Sequence, residues 1–228
     1  MNKVSVIVNS YNEGEKLFRR TIESIKESSN VDLQIVVSTV KGDNCIGWTK
    51  DYDVTLIINE KPGIFEQINA TIPHLTGDYI TYFSSNDKMS KYKLKIESDI
   101  LKKTNKKVCY SSYNRIELDN TKNVKKFYDY SYEKHLKGNF VSDCSMVTKD
   151  VFLKYTPFRT EYGNHAYHDL WLRIYEGEGN VFVYNQIPTW DYIVTENSSH
   201  YKRSKDPKRK QENELSRQEM LKHHKLNV

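Results

Sequence analysis

The order of elements in this chain can be read from residues 63–88, which are GIFEQINATIPHLTGDYITYFSSNDK. Apolar residues at positions 64, 65, 68 and 72 recur at the spacing of one helical face, and Thr76-Gly77-Asp78 is typical of a turn. Residues 79–83 (YITYF) then predict a strand buried on both faces. The strand stops at residues 84–87 (SSND), which we call the polar corner. Because open α/β sheets bind ligands at the carboxyl ends of their strands, the polar corner is either a binding site or a solvated turn.

The chain before this stretch predicts a parallel sheet. Residues 4–8 (VSVIV), 33–37 (LQIVV) and 54–58 (VTLII) read as buried strands, and a helical apolar face lies between the first two. Strands that alternate with a helix and short polar links form parallel sheets with right-handed crossovers. The sequence contains no GxGxxG or GxxxxGK[ST] motif, so dinucleotide-binding and P-loop domains are disfavoured.

The second half alternates elements less regularly. We expect a helix over residues 91–103, a strand over 108–111, and paired strands over 113–118 and 124–128 joined across Asp119 and Asn120. Residues 140–148 read as a further strand, and residues 168–176 as an amphipathic helix. Residues 207–226 predict a polar helix packed loosely by Leu215, Met220 and Leu221.

Composition places the chain among soluble, cytoplasmic, single-domain proteins. Its 228 residues suffice for one substantial core, and 37% are hydrophobic and 29% charged. No apolar run approaches the roughly 20 residues that span a bilayer, and the start shows no signal-peptide pattern. Cys45, Cys109 and Cys144 lie far apart, which argues against a disulfide framework or zinc site and for a reducing compartment.

The net charge of +5 is concentrated in residues 201–210 (YKRSKDPKRK). Such a basic segment suits nucleic acid, anionic lipid or acidic glycan, or is simply solvated. No set of nucleic-acid-binding motifs accompanies it, so no nucleic-acid partner is expected. Peripheral membrane contact through this tail stays open, and the oligomeric state is not predicted.

Two segments carry a family resemblance: residues 62–69 (PGIFEQIN) and 76–87 (TGDYITYFSSND). In order and spacing they resemble family 2 glycosyltransferases of the GT-A fold. The resemblance extends over about residues 3–198. It implies an α/β, Rossmann-like fold with a central, mostly parallel sheet flanked by helices, and a smaller acceptor-side sheet. Residues 1–90 would be the nucleotide-sugar half of one domain, residues 91–200 the acceptor half, and residues 201–228 a basic helical tail.

The resemblance also implies a nucleotide site. Residues 4–14 (VSVIVNSYNEG) are similar to the family's entry motif, whose loop holds the base and ribose. A tyrosine ring on such a loop offers a base a stacking surface. Ser38 stands where the family usually has Asp, with Asp43 and Asn44 further on. The implied nucleotide-binding set is Asn9, Ser10, Tyr11, Glu13, Ser38, Asn69, Ser85 and Asn86.

The polar corner corresponds to the family's metal-binding DxD motif. Ser84 and Asn86 stand where Asp is common, and only Asp87 keeps a carboxylate. The implied cofactor is Mn²⁺ or Mg²⁺, held by Asp87 and Asn86. Hard cations prefer anionic oxygen ligands, so we expect weak binding unless a nucleotide diphosphate adds charge.

The catalytic base is the largest departure from the family pattern. Residues 169–173 (DLWLR) match the second half of a family motif, but Tyr167 occupies the usual base position and is no ordinary base at neutral pH. Asp169 is our first candidate, as the nearest carboxylate, although a helix cap is its simpler reading. His168 is second, since its ordinary pKa suits a base near pH 7.

The segment after the helix resembles the family's closing loop, residues 190–198 (WDYIVTENS). Thr195 stands where the family has His, and His200 could replace it. Lys202 and Arg203 could bind phosphate.

The implied reaction transfers a sugar, with inversion, from a nucleoside-diphosphate sugar to a hydroxyl on a glycan, lipid or protein. UDP-sugar is the first choice of donor. Two alternatives stay open. The substitutions at Ser84, Asn86 and Tyr167 suit a GT-A module that binds nucleotide sugar without catalysis. A sugar nucleotidyltransferase would share the architecture, but this chain lacks its glycine-rich basic loop.

Overall fold

The computed structural model of the chain describes residues 1–196 and 206–224. The strands are β1 (Asn2–Asn9), β2 (Val31–Val40), β3 (Thr55–Asn59), β4 (Tyr79–Ser84), β5 (Lys88–Met89), β6 (Val108–Ser111), β7 (Tyr113–Ile116), β8 (Lys122–Lys125), β9 (Met146–Thr148), β10 (Phe182–Asn185) and β11 (Trp190–Ile193). The helices are α1 (Glu15–Lys26), α2 (Cys45–Trp48), α3 (Ile64–Thr71), α4 (Lys93–Thr104), α5 (Tyr132–Lys137), α6 (Lys149–Tyr155), α7 (Ala166–Glu178) and α8 (Pro207–Lys222). Short 3-10 turns cover Thr49–Asp51, Ile72–His74 and Thr160–His165.

A mixed sheet of order β10-β6-β9-β4-β1-β2-β3 forms the centre of the molecule. Its neighbours are parallel except for β9, which runs antiparallel to β4 and β6. The predicted α/β class with a mostly parallel sheet is therefore confirmed. The register aligns the carboxyl ends of three strands, because Asn9 pairs with Ser38 on one side and with Ser84 on the other.

The sheet is covered on both faces. Alternate residues of a strand point to opposite sides, so Val6 packs among α1 and α4 while its neighbour Ile7 packs among α3 and α7. Phe18 and Ile22 of α1 are fully buried on the first side, and Trp171 of α7 on the second. This two-sided burial explains the unbroken apolar runs in the strand sequences. The three cysteines are buried free thiols.

A smaller sheet of order β5-β11-β7-β8 stands beside the first. The β7–β8 hairpin turns more tightly than the sequence pattern predicts, since β8 begins at Lys122 rather than at residue 124. Asn120 adopts a left-handed conformation (φ 65°), which closes the turn early. The strand predicted over residues 140–148 is confined to β9, because the chain turns where Ser145 N donates to Ser142 O.

Helix α8 is anchored at its carboxyl end. Met220 is fully buried in a cluster with Tyr162 and Leu172, whereas Leu215 remains 58% exposed. Arg217 Nη2 donates to Leu136 O at 3.2 Å. The predicted loose packing therefore holds for the start of the helix only. Within residues 1–196 and 206–224, no helix combines the length and apolarity needed to cross a membrane.

Candidate active site

The loop after β1 meets the ends of β2 and β4. Asn9 ends β1, and its side-chain Oδ1 is buried without a hydrogen-bond partner among the described residues. Ser10 is buried, whereas Tyr11 is 51% exposed. Asp43 ties this loop to the chain after β2, because its Oδ2 accepts from Asn12 N at 2.7 Å and its Oδ1 from Cys45 N at 2.9 Å. A fixed loop with an exposed ring and an unused acceptor is suited to a planar, polar ligand.

The polar corner lies directly beside this loop and is held from two directions. Ser84 Oγ donates to Asn86 Oδ1 at 2.7 Å. From β11, Ile193 N donates to Asp87 Oδ1 at 2.9 Å, and Asn86 Nδ2 donates to Ile193 O at 3.3 Å. Ser85, Asn86 and Asp87 are all buried. The second sheet therefore covers the corner that the first sheet forms.

Arg20 of α1 belongs to this site, and the sequence analysis missed it. Its Nη2 donates to Asn86 O at 2.6 Å, and the neighbouring Thr21 Oγ1 donates to Asp87 O at 2.7 Å. The sequence held no signal for this arginine, since it matches no motif and its contact depends on how α1 docks. The guanidinium brings a fixed positive charge to the polar corner.

Burial controls the charge of the acidic groups here. It raises the pKa of Asp87 to about 8, although the N–H of Ile193 and the charge of Arg20 act to lower it. Burial also raises the pKa of Glu13, opposed by the N–H of Gly14 and by Arg20. Asp87 is therefore readily neutral at physiological pH while no further cation adjoins it.

The donor set of the polar corner fits a divalent cation only in combination with a ligand. Within the described ranges, no group of three or more His, Cys, Asp or Glu side chains could hold a metal ion. Asp87 and Asn86 contribute one carboxylate and one amide oxygen, both of the hard type that Mn²⁺ and Mg²⁺ prefer. Oxygen atoms of a bound diphosphate would have to supply further ligands to complete the coordination shell of the cation. A cation so bound would neutralise negative charge on a departing diphosphate.

The structure brings six of the eight predicted nucleotide-binding residues to the loop after β1 and the polar corner, and gives the other two different contacts. The six are Asn9, Ser10, Tyr11, Glu13, Ser85 and Asn86. Ser38 Oγ donates to Gln67 O at 2.9 Å and accepts from Asn59 at 3.0 Å, within the packing of α3 on the sheet. Asn69 exchanges two hydrogen bonds with the backbone of Phe158, at 2.8 and 2.9 Å. Whether these residues bind nucleotide stays a prediction.

Asp169, the first candidate base, lies inside an ion-pair cluster. It is fully buried and accepts from Arg159 at 3.2 Å, Arg173 at 2.8 Å and His224 Nε2 at 2.8 Å. Burial opposes its charge, but the hydrogen bond from His224 and the two arginines outweigh burial and lower its pKa. His224 follows α8, so the segment after the C-terminal helix adds a third partner to the two arginines.

His168 is equally enclosed. Its Nε2 donates to His135 O at 2.6 Å, and burial lowers its pKa to about 4. Beside it, the ring of Tyr167 packs against Phe158 and Phe65, with ring centroids 4.9 and 5.3 Å apart. The aromatic rings leave a cavity of about 10 Å³, enough for about one water. As placed here, neither Asp169 nor His168 can contact an acceptor, and their assignment stays a prediction.

The closing loop is described only in part. Asp191 of β11 accepts from Asn114 Nδ2 at 2.7 Å and lies 3.8 Å from Lys122 Nζ. Thr195 follows the strand, and the predicted phosphate-binding and loop residues His200, Lys202 and Arg203 lie outside the described residues.

Comparisons with known proteins agree with this architecture. A sequence model described as Glycosyl transferase family 2 matches residues 5–156. A search of curated proteins found no match. Among solved structures, S. aureus TarS 1-349 in complex with UDP superposes with a TM-score of 0.75 at 13% identity, covering 99% of this chain and 66% of that chain. The same protein in complex with UDP-GlcNAc gives 0.69 at 13% identity, covering 86% and 60%.

A longer S. aureus TarS structure gives a TM-score of 0.69 at 14% identity, covering 85% of this chain and 37% of that chain. The present chain thus spans less than two thirds of the TarS chains it matches. At these identities the structural likeness shows the fold, which is the predicted GT-A fold. Because the family match extends over more than half of the sequence, this chain belongs to glycosyl transferase family 2.

Proposed function

We propose that this chain transfers a sugar from a nucleoside-diphosphate sugar, in the first place a UDP-sugar, to an acceptor hydroxyl. The observation that carries the proposal is the row of Asn9, Ser38 and Ser84 at the carboxyl ends of adjacent strands in a family 2 chain. The loop after β1 and the polar corner flank that row. The solved complexes of TarS with UDP and UDP-GlcNAc support the choice of nucleotide.

Each part of the site has a distinct task in this proposal. The exposed ring of Tyr11 stacks on the base, and the unused Oδ1 of Asn9 accepts a hydrogen bond from it. The diphosphate lies against the polar corner, where Arg20 supplies positive charge and Asp87 with Asn86 would hold Mn²⁺ or Mg²⁺. Residues 1–90 then form the nucleotide half and residues 91–200 the acceptor half, with residues 201–228 as a basic tail.

Transfer would proceed by a single inverting displacement. The acceptor oxygen attacks the anomeric carbon while the bond to the diphosphate breaks, and the electron pair of that bond leaves with the nucleoside diphosphate. The acceptor proton must go to a base, for which Asp169 and His168 are the candidates from sequence. Either residue would need α8 or the start of α7 to move before it could act.

The acceptor is proposed only by class: a hydroxyl on a glycan, lipid or protein. The basic segment 201–210 suits an acidic surface, such as the cytoplasmic leaflet of a membrane, on which a lipid-linked acceptor could lie. Binding of the full chain to anionic and neutral vesicles would separate this placement from a freely soluble one.

The test is a panel of UDP- and other nucleotide sugars, measured by isothermal titration and by release of the nucleoside diphosphate, with and without Mn²⁺. We expect binding of at least one UDP-sugar and slow release of UDP, which sugar acceptors accelerate. No binding of any nucleotide sugar would contradict the proposal. Tyr92→Ala is a suitable control, since Tyr92 is exposed before α4.

A second function, a binding module without catalysis, is favoured by the enclosed state of Asp169 and His168. It predicts tight binding of nucleotide sugar with no turnover under any condition of the panel. A sugar nucleotidyltransferase would instead release pyrophosphate from a nucleoside triphosphate and a sugar phosphate.

A further inference from the structure

An inverting transfer needs an accessible proton acceptor beside the diphosphate site, and most carboxylates near that edge are not accessible. Asp43, Asp87 and Asp169 are buried. Asp191 lies on the smaller sheet, where Asn114 and Lys122 already engage it. Glu161, another acidic residue near α7, lines a separate groove against α8. Burial therefore excludes Asp43, Asp87 and Asp169 in their present positions, and Glu161 belongs to the groove beside α8.

Asp143 is an exposed carboxylate at this edge. Strand β9 pairs antiparallel with β4, with Met146 opposite Thr81, so the chain just before β9 extends along β4 toward its carboxyl end. Asp143 lies in the turn closed by Ser145 N and Ser142 O, and its charge and that of Asp87 both act on the hydroxyl of Tyr82 in β4. Asp143 also lines the small cavity that Tyr82 and Tyr167 border. It thus faces the space between the polar corner and the start of α7.

The turn that carries Asp143 is rigidly supported. The carbonyl oxygen of the next residue, Cys144, accepts from Lys93 Nζ at 2.8 Å and from Thr81 Oγ1 at 3.2 Å. Lys93 is fully buried and paired with Glu97 at 2.6 Å. Glu97 also accepts from Ser111 and Thr189, so Lys93 ties the carbonyl of Cys144 to a buried polar network of the core. A turn held in this way keeps a fixed position.

The charge of Asp143 acts on the surrounding aromatic wall. Burial is the main reason that the pKa values of Tyr82 and Tyr167 are raised, and the carboxylate of Asp143 raises them further. The tyrosine hydroxyls next to Asp143 therefore stay protonated and cannot themselves accept the acceptor's proton. The carboxylate is the basic group of this space.

We propose that Asp143 is the catalytic base of this chain, an assignment that rests on the proposed glycosyl transfer. As the acceptor oxygen forms its bond to the anomeric carbon, the hydroxyl proton passes to an oxygen of Asp143. The bond between the anomeric carbon and the diphosphate oxygen breaks, and its electron pair leaves with the nucleoside diphosphate. Asp143 then returns the proton to water.

The test compares Asp143→Asn with Asp150→Asn in the full chain. Asp150 is an exposed carboxylate just after β9, at the far end of the same segment, and pairs with Lys107 at 3.0 Å. UDP-sugar affinity, turnover and the pH–rate profile are measured for both variants and the parent. We expect Asp143→Asn to slow turnover by about 10²-fold or more, to keep donor affinity within about twofold, and to lose the ascending acid limb. Asp150→Asn should match the parent.

Three results would overturn the assignment. In the first, Asp143→Asn keeps more than about a tenth of the parent rate. In the second, it loses donor affinity instead of turnover, which would make Asp143 a ligand of the donor sugar. In the third, a folded Asp169→Asn or His168→Ala variant shows the loss of the acid limb while Asp143→Asn does not. A parent protein that neither binds nor turns over any nucleotide sugar would instead refute the proposed function, and this assignment with it.

Discussion

The loop after β1 and the first turn of α7 both carry residues that match family motifs, yet they are built in opposite ways. In the loop, Tyr11 is half exposed and Asn9 keeps an unused acceptor atom. In α7, Tyr167, His168 and Asp169 are buried, and His224 from the chain after α8 closes over them. Residues that match family motifs therefore lie at an accessible site in the loop after β1, and in a buried contact between elements at the start of α7.

The cause of the difference is what each segment contacts. The loop after β1 is tied to Asp43 through the backbone N–H of Asn12, which leaves the side chain of Tyr11 free to face outward. The start of α7 receives three aromatic rings and Arg159 from neighbouring segments, and Arg173 of α7 itself pairs with Asp169 one turn back. A buried carboxylate that pairs with two arginines and a histidine stabilises the fold, and its presence in a motif therefore need not mean that it is catalytic.

Removing Asp169 should give the largest effect. Asp169→Ala leaves Arg159, Arg173 and His224 without their shared partner, so we expect the free energy of unfolding to fall by roughly 3–5 kcal/mol. Urea denaturation measures it. The exposed pair of Asp150 with Lys107 is the control, and Asp150→Ala should cost at most about 1 kcal/mol. An Asp169→Ala protein of unchanged stability that has lost transfer would return Asp169 to a catalytic role.

Removing the ring of Tyr11 should affect binding and leave stability alone. Tyr11→Ala should weaken UDP binding by about 1–3 kcal/mol, the range of base stacking on an aromatic side chain. Isothermal titration measures the loss, and Tyr92→Ala, which removes an equally exposed ring at α4, should bind as the parent does. Equal affinities for all three proteins would place the base elsewhere.

The packed region should also respond to acid through His135. This side chain is fully buried, neither ring nitrogen has a hydrogen-bond partner among the described residues, and burial lowers its pKa to about 2. The unfolded chain takes up a proton near pH 6.5 and the folded chain does not, so this group removes stability as the pH falls below about 6.5.

Comparison of His135→Leu with the parent isolates that contribution, because other titrating groups are common to both proteins. When the pH is lowered from 7.5 to 5.0, the parent should lose about 2 kcal/mol more unfolding free energy than the variant. His224 has the opposite effect on the pH dependence of stability. Its hydrogen bonds to Asp169 and Glu176 outweigh burial and raise its pKa, so it adds stability as the pH falls. The exposed His74→Leu is the control, and a matching gain there would refute the assignment to His135.

The smallest expected effect concerns the cation. Asn86→Asp adds a second carboxylate beside Asp87, so the Mn²⁺ affinity of the UDP complex should rise by about tenfold. Asp87→Ala should abolish the Mn²⁺-dependent part of UDP binding. If Asp87→Ala responds to Mn²⁺ as the parent does, the cation does not bind at the polar corner.

Much of the fold was predictable because its signals are local. The apolar runs of β1, β2 and β4, the periodic faces of α1 and α3, and the polar residues that follow β4 are properties of short windows, and the structure confirms each of these elements. Hairpin β7–β8 was misplaced by a few residues, since one left-handed residue, Asn120, decides where the chain reverses.

The sequence by itself determined the α/β class, the family resemblance and the position of the polar corner, since strand burial and motif order are written in neighbouring residues. Only the tertiary structure decided what each side chain meets. Arg20 contacts Asn86 across 66 positions and His224 contacts Asp169 across 55, and Asp143 lines a cavity with Tyr82 of β4 because β9 inserts antiparallel beside β4. Such contacts depend on how helices dock and strands order themselves, which no local spacing encodes.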